Sequence, residues 1–238
     1  MRKKHFGTLD FYKSVLFIAV PVMGQLFIST LVSILDSFMV ARLGDIKMSG
    51  VNIANQVFFV VQVATSSLAT AGGIFLSQYS GAKQKNGMQQ AYRFKAILLL
   101  AVAVLSMSVI YFFIEPLLFA MVGANTNATE IVACSKSYLQ IILLSFIPFS
   151  LSIAISTSLR ETGSPRLPFV ITLVAALVNA LGNYALIYGN LGMPRLEVEG
   201  AAYATLIARV VEMVLFFVVA RKKDFYVSLC NLWKIDFV

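Results

Sequence analysis

The chain has 238 residues, 59% of them hydrophobic and 13% charged, with a mean hydropathy of +0.83. Soluble domains carry roughly 45–50% apolar and about 25% charged residues, so an ordinary soluble domain is excluded. The net charge of +8 comes from basic residues gathered between apolar runs, and it calls for no nucleic-acid partner.

Lys, Arg, Asp and Glu are missing from Met48 to Ala82, from Ala96 to Ile114, from Ser137 to Leu159 and from Leu167 to Pro194. Between Ser14 and Ala41 Asp36 alone breaks the rule. A helix needs about 20 apolar residues to cross the hydrocarbon core, so each run predicts a span. The first, 14–40, holds Pro21 in mid-helix and Asp36 in its outer part. Proline removes one backbone hydrogen bond, so a fixed kink or a hinge is expected there. This run is too long for the h-region of a cleaved leader and reads as an anchor that stays. The second span, 50–77, carries Gly72-Gly73, a pair suited to close helix approach. After the third, 94–114, the stretch "EPLLFAMVG" (115–123) reads as a short interfacial helix. The fourth, 136–158, contains Pro148, again a bend signal. In "RETGSPRLP" (160–168) Gly163 and two prolines close one helix and open the next. The fifth, 167–188, places Asn179 and Asn183 on one face at i, i+4. The sixth, 199–220, is interrupted by Arg209 and Glu212, three apart and so on one face. Either these form a structural ion pair or they serve transport directly. Beyond Arg221 the tail alternates apolar and polar residues and is expected to lie on the membrane surface.

Fourteen Lys and Arg residues fall in the N-terminus, the second-to-third and fourth-to-fifth connections and the C-terminus, against four in the opposite connections. Basic residues accumulate on the cytoplasmic side, so both termini are expected there. Cys134 and Cys230 then lie on opposite sides and cannot pair within one chain, and metal-ligand spacing is absent. With His5 in a basic tail and no nucleophile–base arrangement, an enzyme is not expected.

What remains is a set of polar residues at depth: Gln25, Asp36, Asn55, Gln56, Gln62, Asn179, Asn183 and Thr205. Asp36 lies roughly 34 Å along a helix from Lys13. It is either an outer-interface carboxylate paired to Arg42 or Lys47, or an ion-titrating carboxylate facing an internal cavity with Asn179 and Asn183. Two amides and a carboxylate make an oxygen-rich cluster suited to Na⁺ or to protonation of Asp36.

Pro21 followed fifteen residues later by Asp36 in "LDSFMVARLGD" resembles the first helix of the MATE (multidrug and toxic compound extrusion) family. The resemblance continues through "GIFLSQYSGAK" (73–83), "LRETGSPRLPF" (159–169) and "VNALGNYALIYGNLGMPRLEVEGAAYATLIAR" (178–209), and so covers nearly the whole chain. It implies an all-α, polytopic membrane protein whose six transmembrane helices form one lobe of a twelve-helix transporter. Residues 1–220 would be the lobe and 221–238 an inter-lobe linker. The family exports organic cations and other amphipathic compounds in exchange for H⁺ or Na⁺. Carried over by position, Asp36 becomes the cation-coupling carboxylate, joined by Asn179, Asn183 and Thr205, with Pro21 as the hinge of the first helix. Two residues depart from the pattern: Asn183 stands where many relatives have Asp, and Glu197 where the family usually has glycine.

The expected function is therefore cation-coupled efflux of amphipathic or cationic small molecules from the plasma membrane by the N-terminal half of such a transporter. No cofactor beyond the coupling ion is expected. The expected partners are lipid and a second six-helix lobe or a second copy. The rival expectations are a truncated or half-subunit assembly protein without transport of its own, and a lipid-precursor flippase of the same superfamily, against which the scarcity of internal cations argues.

Overall fold

The computed structural model describes residues 9–123 and 126–222, and helices joined by short connections make up the described part, with no strand in it. His5, Cys230 and the predicted surface tail lie outside the described residues. The elements are α1 (Leu9–Ala41), α2 (Asp45–Gly81), α3 (Lys85–Phe112), α4 (Ile114–Val122), α5 (Ala128–Leu143), α6 (Phe146–Glu161), α7 (Arg166–Tyr188) and α8 (Glu197–Lys222). Five helices are long and apolar enough to cross a membrane, namely α1, α2, α3, α7 and α8, and the bent pair α5–α6 makes a sixth span. The protein is thus a multi-pass α-helical membrane protein, and α4 is the short helix expected after the third span.

The two proline helices behave differently. Helix α1 continues without a break through Pro21. The fourth span instead breaks at Leu144–Ser145 and bends by 50°, one turn before Pro148 rather than at it. Proline lacks the N–H that would reach the carbonyl four residues back, and its ring crowds that carbonyl. For Pro148 that carbonyl belongs to Leu144. The chain there tightens into i→i+3 bonds, Leu144 N–H to Ile141 O at 3.2 Å and Ser145 N–H to Ile142 O at 2.8 Å.

One expectation about charge needs correction. Lys95, placed in a cytoplasmic connection by the sequence, is fully buried within α3 and donates to Glu161 Oε2 at 2.8 Å. The glycine pair of α2 allows close approach, as expected, and what approaches is this ion pair from α3 and α6. A Cβ on Gly72 would come within 2.9 Å of Lys95 Cγ, and one on Gly73 would collide with the Glu161 carboxylate. Between α7 and α8 the chain also uses close approach. A Cβ on Gly200 would meet Leu186 O at 2.5 Å, and Leu196 N–H bonds the same carbonyl at 2.8 Å.

The apolar core is split. One cluster joins Val51 to Val61 of α2 with Leu139, Ile142 and Phe146, Ile187 and Val198 to Ala202. The other joins Ala69 and Leu76 with Tyr92, Leu99, Ala154 to Leu159, Ile171 and Phe216. Between them α2, α6, α7 and α8 present buried polar residues: Thr65, Ser150, Ser152, Ser156, Thr172, Asn179, Asn183 and Glu212. Polar groups in a membrane protein face the bundle, where partners replace water. Helix α1 leans mainly on α7, with lighter contact to α2 and α8, and among its described residues Val40 alone is buried.

Candidate functional site

At the upper edge of this polar layer the structure brings Asp36, Asn179, Asn183 and Thr205 together. Each comes from a regular helix position: Asp36 from α1, the two asparagines one turn apart on α7, and Thr205 from α8. Asn183, fully buried, donates through Nδ2 to Asp36 Oδ1 at 2.5 Å and to Asn179 Oδ1 at 3.2 Å. Asn179 in turn donates to Thr205 Oγ1 at 3.3 Å. The set is a continuous chain of side-chain bonds linking three helices.

The Asn183 carbonyl oxygen is the telling atom. Oδ1 is buried and has no hydrogen-bond partner, whereas buried polar groups are nearly always satisfied. The nitrogen of the same amide bonds the Asp36 carboxylate and Asn179 Oδ1, and Thr205 Oγ1 is one bond further along. An unsatisfied carbonyl next to a carboxylate is the donor set that a small hard cation takes, and a proton on Asp36 would use the same carboxylate.

The interface-pair alternative for Asp36 does not describe the structure. Lys47 bonds Glu197 instead, and Arg42 lines an outer cavity of about 510 Å³ with Leu35, Phe38, Tyr184 and Tyr188. Pro21 lies fifteen positions away on α1 and takes no part in the cluster. Two neighbours were not assigned to this site from sequence. Tyr138, buried on α5, donates its hydroxyl to Asn55 Oδ1 at 3.2 Å and stands within reach of both Thr205 and Asp36. Asn55 stood among the deep polar residues. Tyr138 gave no separate signal, because an aromatic near a span end reads as an interfacial residue. Arg209 is also within electrostatic reach of Asp36, although its direct bond is to Glu212 at 2.9 Å.

Comparison with known proteins agrees with the fold. The MatE family model matches residues 21–185. The chain is 30% identical over 215 residues to a probable multidrug resistance protein NorM of Thermotoga maritima, covering 90% of this chain and 45% of that protein. It is 29% identical to an FAD transporter of Shewanella oneidensis, over 76% of this chain and 39% of that one. The fold matches a solved MOP superfamily transporter of Pyrococcus furiosus, described as having a binding pocket of reverse polarity, with a TM-score of 0.80 at 23% identity. That match covers 90% of this chain and 46% of the other. The chain thus spans about half the length, or less, of the relatives it matches. With the family model lying across most of its helices and a 30% identical relative along nine tenths of its length, the chain belongs to the MATE family of transporters.

Proposed function

We propose that the chain acts as the N-terminal lobe of a cation-coupled exporter of amphipathic or cationic organic compounds in the plasma membrane, with both termini in the cytoplasm. The observation that carries this reading is the Asp36 cluster: a carboxylate turned into the bundle, bonded to Asn183 and flanked by an unsatisfied carbonyl. Entry of Na⁺ or H⁺ satisfies the carboxylate and loosens its grip on Asn183. Because that bond joins α1 to α7, ion entry changes how α1 sits against the lobe. Pro21, which leaves one backbone carbonyl of α1 without its usual donor, is the place where α1 yields.

The test is ion-driven efflux of a fluorescent organic cation from cells or everted vesicles, using the transporter that contains this lobe. Asp36→Asn keeps shape and removes the charge, so it is expected to abolish ion-driven efflux at unchanged membrane abundance. Wild-type efflux from that variant would end the proposal. A lipid-flippase role is less well supported, because the Arg209 cation inside the bundle is paired with Glu212.

A further inference from the structure

Seven residues below Thr205 on α8, roughly 10 Å along the helix, lies a second carboxylate that the Asp36 cluster does not use. Glu212 is 5% exposed. Its Oε2 accepts from Arg209 Nη1 at 2.9 Å and its Oε1 from Thr172 Oγ1 at 3.2 Å. Thr172 in turn accepts from Gln25 Nε2 at 2.9 Å, and the same amide reaches Ser156 Oγ at 3.4 Å. Two buried polar atoms around it, Gln25 Oε1 and Ser152 Oγ, have no partner.

The Arg209 guanidinium also lies over the Phe149 ring at 5.3 Å from its centroid. Phe149 packs edge-on against Phe58 at 5.7 Å, and Phe58 against Phe146 at 5.4 Å. A carboxylate beside an aromatic face is what an organic cation seeks: charge from one side, the negative π-face from the other. Here that receptor is filled by a delocalised cation belonging to the chain itself.

We propose that Glu212 and Phe149 form an organic-cation site, and that Arg209 is its tethered occupant, shared with Asp36. The polar layer holds two carboxylates, Asp36 and Glu212; Arg209 bonds Glu212 and lies one turn from Thr205 of the Asp36 cluster, on the same face of α8. If a substrate cation takes the place over Phe149, Arg209 turns outward to Asp36, and neither carboxylate is left bare. When Na⁺ or H⁺ satisfies Asp36, Arg209 returns to Glu212 and Phe149 and expels the substrate. A bare buried carboxylate is costly in a membrane, so the two occupancies exclude each other. This deepens the proposed function and rests on it, because it names the substrate class and the residue through which ion and substrate compete.

The test is equilibrium binding of radiolabelled tetraphenylphosphonium to the detergent-purified full chain, without any ion gradient. It therefore does not depend on whether the chain exports. Arg209→Gln empties the site and is expected to tighten binding about tenfold, whereas Glu212→Gln is expected to weaken it about tenfold. Asp36→Asn, which deprives Arg209 of its alternative partner, is expected to weaken binding in the wild-type background and to do nothing in the Arg209→Gln background. Arg209→Lys, which keeps the charge, is expected to retain the ordering seen in the wild type. Unchanged or weaker binding by an Arg209→Gln protein that elutes as the wild type does would overturn the proposal. So would an Asp36→Asn effect of equal size in both backgrounds. Failure of the export test with these results intact would remove ion-driven transport and leave the organic-cation site standing.

Discussion

Glu197 opens α8 with a φ of 51°, the left-handed region in which a side chain is crowded against its own backbone. The family usually has glycine there, and the reason is visible: only glycine enters that region without penalty. This chain keeps a glutamate and ties it down, with Lys47 on one carboxylate oxygen and Arg195 on the other at 3.2 Å. Exposed ion pairs contribute about 0–1 kcal/mol each, comparable with the roughly 1–2 kcal/mol of backbone strain. Glu197→Gly is therefore expected to leave the apparent melting midpoint nearly unchanged, since strain and pairs vanish together. Glu197→Ala keeps the strain and loses the pairs, and is expected to be less stable than the glycine variant by about 1 kcal/mol. Heat-induced loss of monodisperse protein in detergent measures both. Equal midpoints for Ala and Gly would show that the left-handed turn carries no strain.

Among the elements, the spans were legible because an apolar run of about twenty residues with few or no charges has one physical solution in a bilayer. Asn179 and Asn183 were legible as a pair because helical spacing alone puts them on one face. Other features were hidden for definite reasons. Pro148 marks a missing bond, but the chain breaks at the carbonyl that loses its donor, a turn earlier. Lys95 reads as a loop charge until its partner is known, and Glu161 lies 66 residues further along the chain. The match between them is steric as much as electrostatic, because Gly72 and Gly73 provide the space. Gly73→Ala is accordingly expected to push Glu161 aside and strand a buried ammonium, lowering stability by about 3–5 kcal/mol. Replacing the pair in the same background, Lys95→Met with Glu161→Leu, is expected to recover most of that loss, because apolar residues of similar volume need no partner. Thermal inactivation of the two proteins decides it. A Gly73→Ala protein as stable as wild type would mean that Glu161 has another rotamer at no cost.

For the whole molecule, α1 is the least covered of the spanning helices. Its most apolar stretch has no buried residue, and Phe27, Leu31 and Ile34 are exposed. We expect that face to be covered by a second lobe or by a second copy of the chain in parallel orientation. Single cysteines at Phe27 and Leu31 are expected to crosslink to such a partner in native membranes. Absence of crosslinks at both positions from a chain that still exports dye would contradict the expectation.

How α1 stays attached carries one more consequence. The ring of Phe17 lies under the Arg166 guanidinium at 4.3 Å, Gln25 bonds Thr172, Asp36 bonds Asn183, and Tyr188 bonds the Met39 carbonyl at 2.9 Å. These four clasps run from one end of the helix to the other, and all reach α7. Side-chain hydrogen bonds between membrane helices contribute on average only about 0.6 kcal/mol each. Because α1 precedes α7 in the chain, it can make none of these bonds until α7 has been synthesised. It is apolar enough to sit in the bilayer without them. A helix apolar enough for the bilayer and held by so few polar contacts is also one whose detachment from α7 costs little.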